Sequence, residues 1–200
     1  MFVQVMEGRV TDVEGLRAQI ERWRTDLAPG AKGFLGTTAG VTGDGNVIAL
    51  VRFESEEAAR ANSDRPEQGE WWAATSGLYE GDVTFTDCPD VDTFGAGGSD
   101  DAGFVQVIKG RADRAALASV AAETDEILQR TRPDVLGGIV AWPGDGTFIQ
   151  AVYFTSEAEA RSNEKREPAT DEERQAWERM NSLMQMDAFI DISDPWLFSA

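Results

Sequence analysis

The side chains best suited to chemistry lie in two short stretches, Arg60-Ala61-Asn62-Ser63-Asp64-Arg65 and Arg161-Ser162-Asn163-Glu164-Lys165-Arg166, which share an Arg-x-Asn-x-x-Arg pattern. An amide one turn along a helix from an apolar position faces the sheet, where it can hold a ligand carbonyl or a peroxide-level oxygen. A nearby guanidinium can then neutralise a developing enolate or carboxylate. The competing reading is local: asparagine ends a helix by bonding nearby backbone, and arginine pairs with neighbouring acids. Trp71, Trp72 and Trp177 follow on the next helical segments, where an indole either walls a flat ligand or joins the core. The candidate ligand-binding set is Asn62, Arg65, Trp72, Asn163, Arg166 and Trp177. No general base stands out beside them, so the catalytic residues stay unassigned.

Other polar positions carry less. Gln4 and Gln106 interrupt apolar strands, as do Arg52 and, at its counterpart, Tyr153. Buried polar groups need partners, so these either pair with one another or mark a polar channel. Asp87, Asp90 and Asp92 lack the ordered spacing of a cation loop and read as a solvated acidic stretch, so no metal site is expected. No helix follows Gly95-Ala96-Gly97-Gly98, which argues for a linker over a phosphate loop. Cys88 has no cation beside it to activate a thiolate. Met180, Met184 and Met186 suit a pliable pocket or ordinary packing.

Composition removes whole classes of function. There is no histidine, which excludes a Ser-His-Asp triad, a His-bearing zinc site, a facial triad and a His-ligated haem. Thirty-six acidic against 18 basic residues give a formal charge of −18. Such a field disfavours a phosphate backbone and an anionic membrane as partners. No apolar run approaches the roughly 20 residues of a spanning helix. The chain opens directly into a strand-like FVQVM, and its single cysteine cannot build a disulfide framework, so a cytoplasmic location is expected. The partner expected is a small-molecule ligand with no cofactor, no nucleic acid and no membrane, on a monomer or homodimer.

The elements that must position these groups occur twice. FVQV with a Gly-Arg pair runs from Phe2 to Arg9 and returns from Phe104 to Arg111; Leu35-Gly36 returns as Leu136-Gly137, and Gly43-Asp44-Gly45 as Gly144-Asp145-Gly146. A period of about a hundred residues is domain-sized. Residues 1–88 form the first repeat, 89–103 a linker in which Phe94 is an anchor, and 104–200 the second repeat with a C-terminal tail.

Val13, Leu16, Ile20, Trp23 and Leu27 recur at helical spacing behind Thr11-Asp12-Val13-Glu14, which fits a capping box. The Gly-Asp-Gly turns join strand pairs. Each repeat thus reads β-α-β-β-α-β, a four-stranded antiparallel sheet with helices on one face. Phe2, Met6, Ile48 and Leu50 supply apolar side chains to the opposite face, and the second sheet is the cover expected there, face to face. The segments after each repeat, Val91–Phe94 and Pro195–Phe198, are expected to pack back on the body.

On this element order, and on the pattern FESEEAARANS matched by FTSEAEARSNE, the chain resembles a tandem member of the dimeric α/β barrel superfamily. Its antibiotic-biosynthesis monooxygenase branch is the most similar, and double-length actinobacterial proteins share the layout. The resemblance implies an α+β fold of two ferredoxin-like repeats forming an intrachain barrel. It also implies cofactor-free oxygenation, or an isomerase-like reaction, of an aromatic or polycyclic compound. The alternative is a non-enzymatic carrier, sensor or assembly protein that keeps only the fold. In the haem-degrading branch Asn, Trp and His surround the haem; Asn62 and Trp72 match two of these loosely and the third is missing.

Overall fold

The computed structural model describes residues 1–200. The chain forms ten strands and six α-helices in two compact units, residues 1–90 with 194–200 and residues 91–193. In the first unit the order is β1 (Phe2–Arg9), α1 (Val13–Arg22), β2 (Phe34–Val41), β3 (Asn46–Phe53), α2 (Glu56–Ser63), α3 (Pro66–Ser76) and β4 (Thr84–Cys88). Next come β5 (Asp90–Gly95), β6 (Phe104–Ala112), α4 (Arg114–Thr131), β7 (Val135–Trp142), β8 (Thr147–Phe154), α5 (Glu157–Asn163), α6 (Asp171–Ser182), β9 (Met184–Ile192) and β10 (Trp196–Ser199). Both units are antiparallel α+β folds, and the chain is a tandem of ferredoxin-like repeats.

Each sheet has five strands where four were expected. The orders are β10-β2-β3-β1-β4 and β5-β7-β8-β6-β9. The extra strand is in each case the segment after a repeat: β5, inside the expected linker, joins the second sheet, and β10, the expected tail of the second repeat, joins the first. The reason is edge protection combined with one aromatic anchor. Without β10 the outer edge of β2 would be unpaired, and Phe198 on β10 is buried against Trp23 and Phe34 with ring centroids 6.1 and 5.8 Å apart. Phe94 on β5 does the same in the second unit, lying over Gly138, where an added Cβ would come within 2.0 Å of its ring.

Strand register decides which side chains meet the helices. Phe2 pairs Phe53, Gln4 pairs Val51 and Met6 pairs Ala49, so these residues share the face beneath α1 and α3. Val3, Val5, Ile48 and Leu50 occupy the other face and are also buried. Placing Phe2 and Met6 with Ile48 and Leu50 was therefore an error of parity.

The core beneath α1 joins Phe2, Trp23, Phe34, Phe53, Trp71 and Phe198. Each such ring contributes about 1.5–3 kcal/mol by leaving water. Asp12, not Thr11, caps α1, its Oδ1 accepting from Gly15 N at 2.8 Å. Thr170 caps α6, its Oγ1 accepting from Glu173 N, and the Glu173 carboxylate accepts from Ala169 N, one residue before the cap. The last turn of α1 widens into a π-turn over Trp23–Leu27, which α4 lacks.

Candidate functional site

Each unit has a half-open cavity between its helices and its sheet, and the two differ in size. The first is about 100 Å³ and the second about 260 Å³. Counting from the N-caps Asp12 and Asp113, Leu16 corresponds to Leu117, Ile20 to Ala121, Trp23 to Thr124 and Leu27 to Leu128. Counting from Arg65 and Thr170, Trp71 corresponds to Ala176, Trp72 to Trp177 and Tyr79 to Met184. Three aromatic rings of the first unit are thus Thr124, Ala176 and Met184 in the second. Smaller side chains on an equivalent backbone leave the larger space.

The first cavity is an aromatic core with little free polarity. Trp23 Nε1 donates to Gln68 Oε1 at 2.6 Å and Trp71 Nε1 to the Gln19 carbonyl at 2.8 Å, so both indoles are spoken for. Burial pushes the Tyr79 phenol up to about 12, leaving it protonated at neutral pH.

The residues singled out by the sequence pattern separate here. Asn62 is buried and lines the first cavity, but its Oδ1 accepts from Arg65 Nη1 at 2.9 Å. Arg65 also donates to the Leu27 carbonyl at 3.1 Å and pairs with Glu67, so it ties the α2–α3 corner to the turn after α1 and does not line the first cavity. Trp72 packs against Phe85, with centroids 5.3 Å apart, and stands outside the cavity wall. In the second unit Arg166 is exposed and donates to Asn163 Oδ1 at 3.3 Å, and neither residue lines the cavity. Four residues separate Arg166 from the start of α6, whereas α3 begins directly after Arg65; this longer connection leaves the pair at the surface. Trp177 alone of the second set lines its cavity, and its Nε1 donates to no protein acceptor.

The shared Arg-x-Asn-x-x-Arg pattern makes matching contacts in the two units. Its second arginine closes on the asparagine in both units. Its first reaches the last strand: Arg161 Nη2 contacts Asp191 Oδ2, and Arg60 Nη2 lies 3.8 Å from Asp87 Oδ2. The same two aspartates hold the strand glutamines, Gln4 Nε2 donating to Asp87 Oδ1 and Gln106 Nε2 to Asp191 Oδ1, both at 2.9 Å. Each glutamine thus pairs across adjacent strands of its own sheet.

Four polar residues of the second cavity were not singled out by the sequence reading: Thr124, Asp125, Arg132 and Gln150. Asp125 and Arg132 stand seven residues apart at the end of α4, two turns along one helix face together with Leu128. Arg132 donates through Nε and Nη2 to Asp134 at 3.0 and 2.8 Å, which leaves Nη1 without a protein acceptor. Asp125 accepts from Gly95 N at 3.1 Å and from Gln129 Nε2 at 3.1 Å. Apart from Gln106 and Thr124 the remaining wall is apolar, with Phe94, Phe148, Phe154, Met180 and Met184. An apolar chamber with a few convergent polar groups is the usual form of a small-molecule site.

The other candidates are accounted for within the fold. Arg52 is buried and donates to Thr38 Oγ1 at 2.8 Å. Asp92 accepts from Arg114 and from Trp142 Nε1, and no group of three metal-ligating carboxylates or thiols forms. Cys88 is fully buried, and burial followed by the Asp87 charge pushes its thiol up to about 12. No helix is long and apolar enough to cross a membrane.

No family model and no curated protein matches the chain. Among solved structures, a presumed monooxygenase from Lactobacillus acidophilus NCFM has a TM-score of 0.70 at 10% identity, covering 98% of each chain. Another, from Fusobacterium nucleatum subsp. nucleatum, has a TM-score of 0.68 at 10% identity, covering 98% of this chain and 91% of its own. An anthrone oxidase-like protein has a TM-score of 0.61 at 11% identity, covering 99% and 93%. Identities this low show a common fold. The double-length fold of this chain is therefore one already seen in solved structures.

Proposed function

We propose that the second unit's cavity binds a flat, mostly apolar molecule of about two or three fused rings and oxidises it with dioxygen, without metal or flavin. The observation that carries this reading is Arg132, a guanidinium in the wall of an apolar 260 Å³ chamber with Nη1 uncommitted. An apolar cavity of about 150 Å³ accepts one benzene, so this one has room for a second ring and, with flexible Met180 and Met184 yielding, a third. Trp177 offers a face and an N–H to the same ligand.

The chemistry follows from the charges. A ring methylene acidified by an adjacent carbonyl gives a proton to Asp125, and Arg132 stabilises the enolate oxygen. The carbanion forms a C–O bond to dioxygen, and the peroxide so formed takes up a proton and loses water. The methylene becomes a carbonyl: one oxygen atom stays in the product and the other leaves as water. The fold shared with proteins named as monooxygenases and anthrone oxidase-like supports the reaction class by analogy of fold only. The first unit, with its cavity narrowed by Trp23, Trp71 and Tyr79, acts as scaffold.

The test is oxygen uptake with anthrone as probe, followed by the absorbance of anthraquinone against a protein-free blank. Turnover that is lost in Arg132→Met supports the reading. Anthrone binding without oxygen consumption supports the non-enzymatic carrier instead, which the two hydrogen bonds already held by Asp125 favour. Absence of binding overturns both.

A further inference from the structure

We infer that Asp191, acting through Gln106, fixes the hydrogen-bonding polarity of the second cavity, so that the site selects a ligand hydroxyl over the corresponding ether. This rests on the reading of that cavity as a binding site. Gln106 is 8% exposed and lines the cavity from β6. A glutamine amide presents a donor at one end and an acceptor at the other, and a free amide turns over to suit its ligand. Gln106 cannot. A carboxylate engaged by a guanidinium accepts and does not donate, so the amide nitrogen must face Asp191, as it does at 2.9 Å. Arg161, stacked 5.2 Å from the centre of the Phe104 ring, holds Asp191 in place.

The Gln106 Oε1 therefore points away from Asp191 and accepts from no protein group. An O–H or N–H on the ligand satisfies it; an ether or carbonyl oxygen there leaves two acceptors opposed. Gln150, which lines the same cavity from β8, makes no such bond and remains free to turn. Asp191 is a positioning residue and Gln106 a specificity residue. The first unit repeats the arrangement in Gln4, Asp87 and Arg60 around its smaller cavity, which makes it a built-in control.

The experiment compares the dissociation constants of 2-naphthol and 2-methoxynaphthalene, read by quenching of tryptophan fluorescence. In the unaltered protein 2-naphthol binds about tenfold tighter or more, because an acceptor left unpaired in a desolvated site is costly. In Asp191→Asn the neighbour both donates and accepts, Gln106 can turn, and the preference falls to about twofold. Gln106→Leu, which leaves the Asp191–Arg161 pair in place, abolishes the preference as well. Asp87→Asn keeps it. A purely structural role for Asp191 changes thermal stability and leaves the ratio alone, and that result overturns the proposal, as does equal binding of the two probes to the unaltered protein. If neither probe binds, the binding-site reading fails first and this inference with it.

Discussion

Asp134 has no exposed side-chain surface, and both of its carboxylate oxygens are taken by Arg132, through Nε at 3.0 Å and Nη2 at 2.8 Å. The bidentate pair fixes the plane of the guanidinium 5.8 Å from the centre of the Phe154 ring. The cavity thereby gains a cation whose position is set from behind, by a group that no ligand can reach. The first unit has Ala31 at the position of Arg132, counting as before from the N-cap of the preceding helix.

Removing the anchor should cost stability and site geometry together. In Asp134→Ala a largely buried guanidinium loses its counter-ion, and the expected destabilisation is about 2 kcal/mol, below the figure for a fully buried pair because Arg132 keeps some exposure. The double variant Arg132→Met with Asp134→Leu should recover most of it, since apolar replacement of both partners is often close to neutral. Urea denaturation of the three proteins measures this. Unchanged stability in Asp134→Ala would show that the pair contributes little.

Cys88 should be silent toward thiol reagents in the folded protein. Its backbone pairs with Val3 near the start of β1, its side chain is fully buried, and its thiol is pushed up to about 12, so almost no thiolate exists at pH 8. Ellman's reagent should release no colour from the native protein and one equivalent once guanidinium chloride unfolds it. Rapid native labelling would mean that β4 opens from the sheet.

How much of this could be read from residues alone depends on where the information lies. Helices and hairpins were legible because Leu16, Ile20 and Trp23 repeat at one period and FVQV at another, and each pattern is local. The fifth strands were not. DVDTFG carries one aromatic residue among acids, and it becomes a strand only because β7 offers it an edge and Gly138 offers Phe94 a seat.

The site was obscured for a different reason. Identity between the copies drew attention to Asn62 and Arg65, and identity there reflects a shared way of closing a helix corner. Function, as proposed, lies where the copies differ: Trp23 against Thr124, Trp71 against Ala176, Ala31 against Arg132. Comparing the copies for lost volume, not for retained pattern, would have pointed to the second cavity.

Asp92 gives a prediction on pH. Its carboxyl is held below the ordinary 3.8, chiefly by the hydrogen bonds from Arg114, with Trp142 Nε1 and the Arg114 charge assisting and burial opposing. A depressed carboxyl contributes stability in full above its unfolded pKa and loses it as pH falls through the lower folded value. Denaturation midpoints of the unaltered protein and Asp92→Asn, compared from pH 5 to pH 2, should therefore converge toward the acid end. A constant gap across that range would mean that the ion pair adds nothing and that the substituted amide is merely a poorer fit.

The difference between the two cavities yields the most direct test of where a ligand sits. Thr124→Trp copies into α4 the indole that occupies the first unit at Trp23, and the 260 Å³ chamber beside it has room for the ring. Filling an existing void avoids most of the strain of overpacking, so the fold should tolerate the change within about 1.5 kcal/mol. Binding of 2-naphthol should weaken by about tenfold or more, because the new ring takes the ligand's place. The opposite change, Trp71→Ala, opens the first cavity at a cost of about 3–5 kcal/mol, since it removes a buried indole that also donates to the Gln19 carbonyl. It should leave binding in the second unit as it was. Retained affinity in Thr124→Trp, with a folded protein, would place the ligand elsewhere and remove the basis for assigning any role to Arg132.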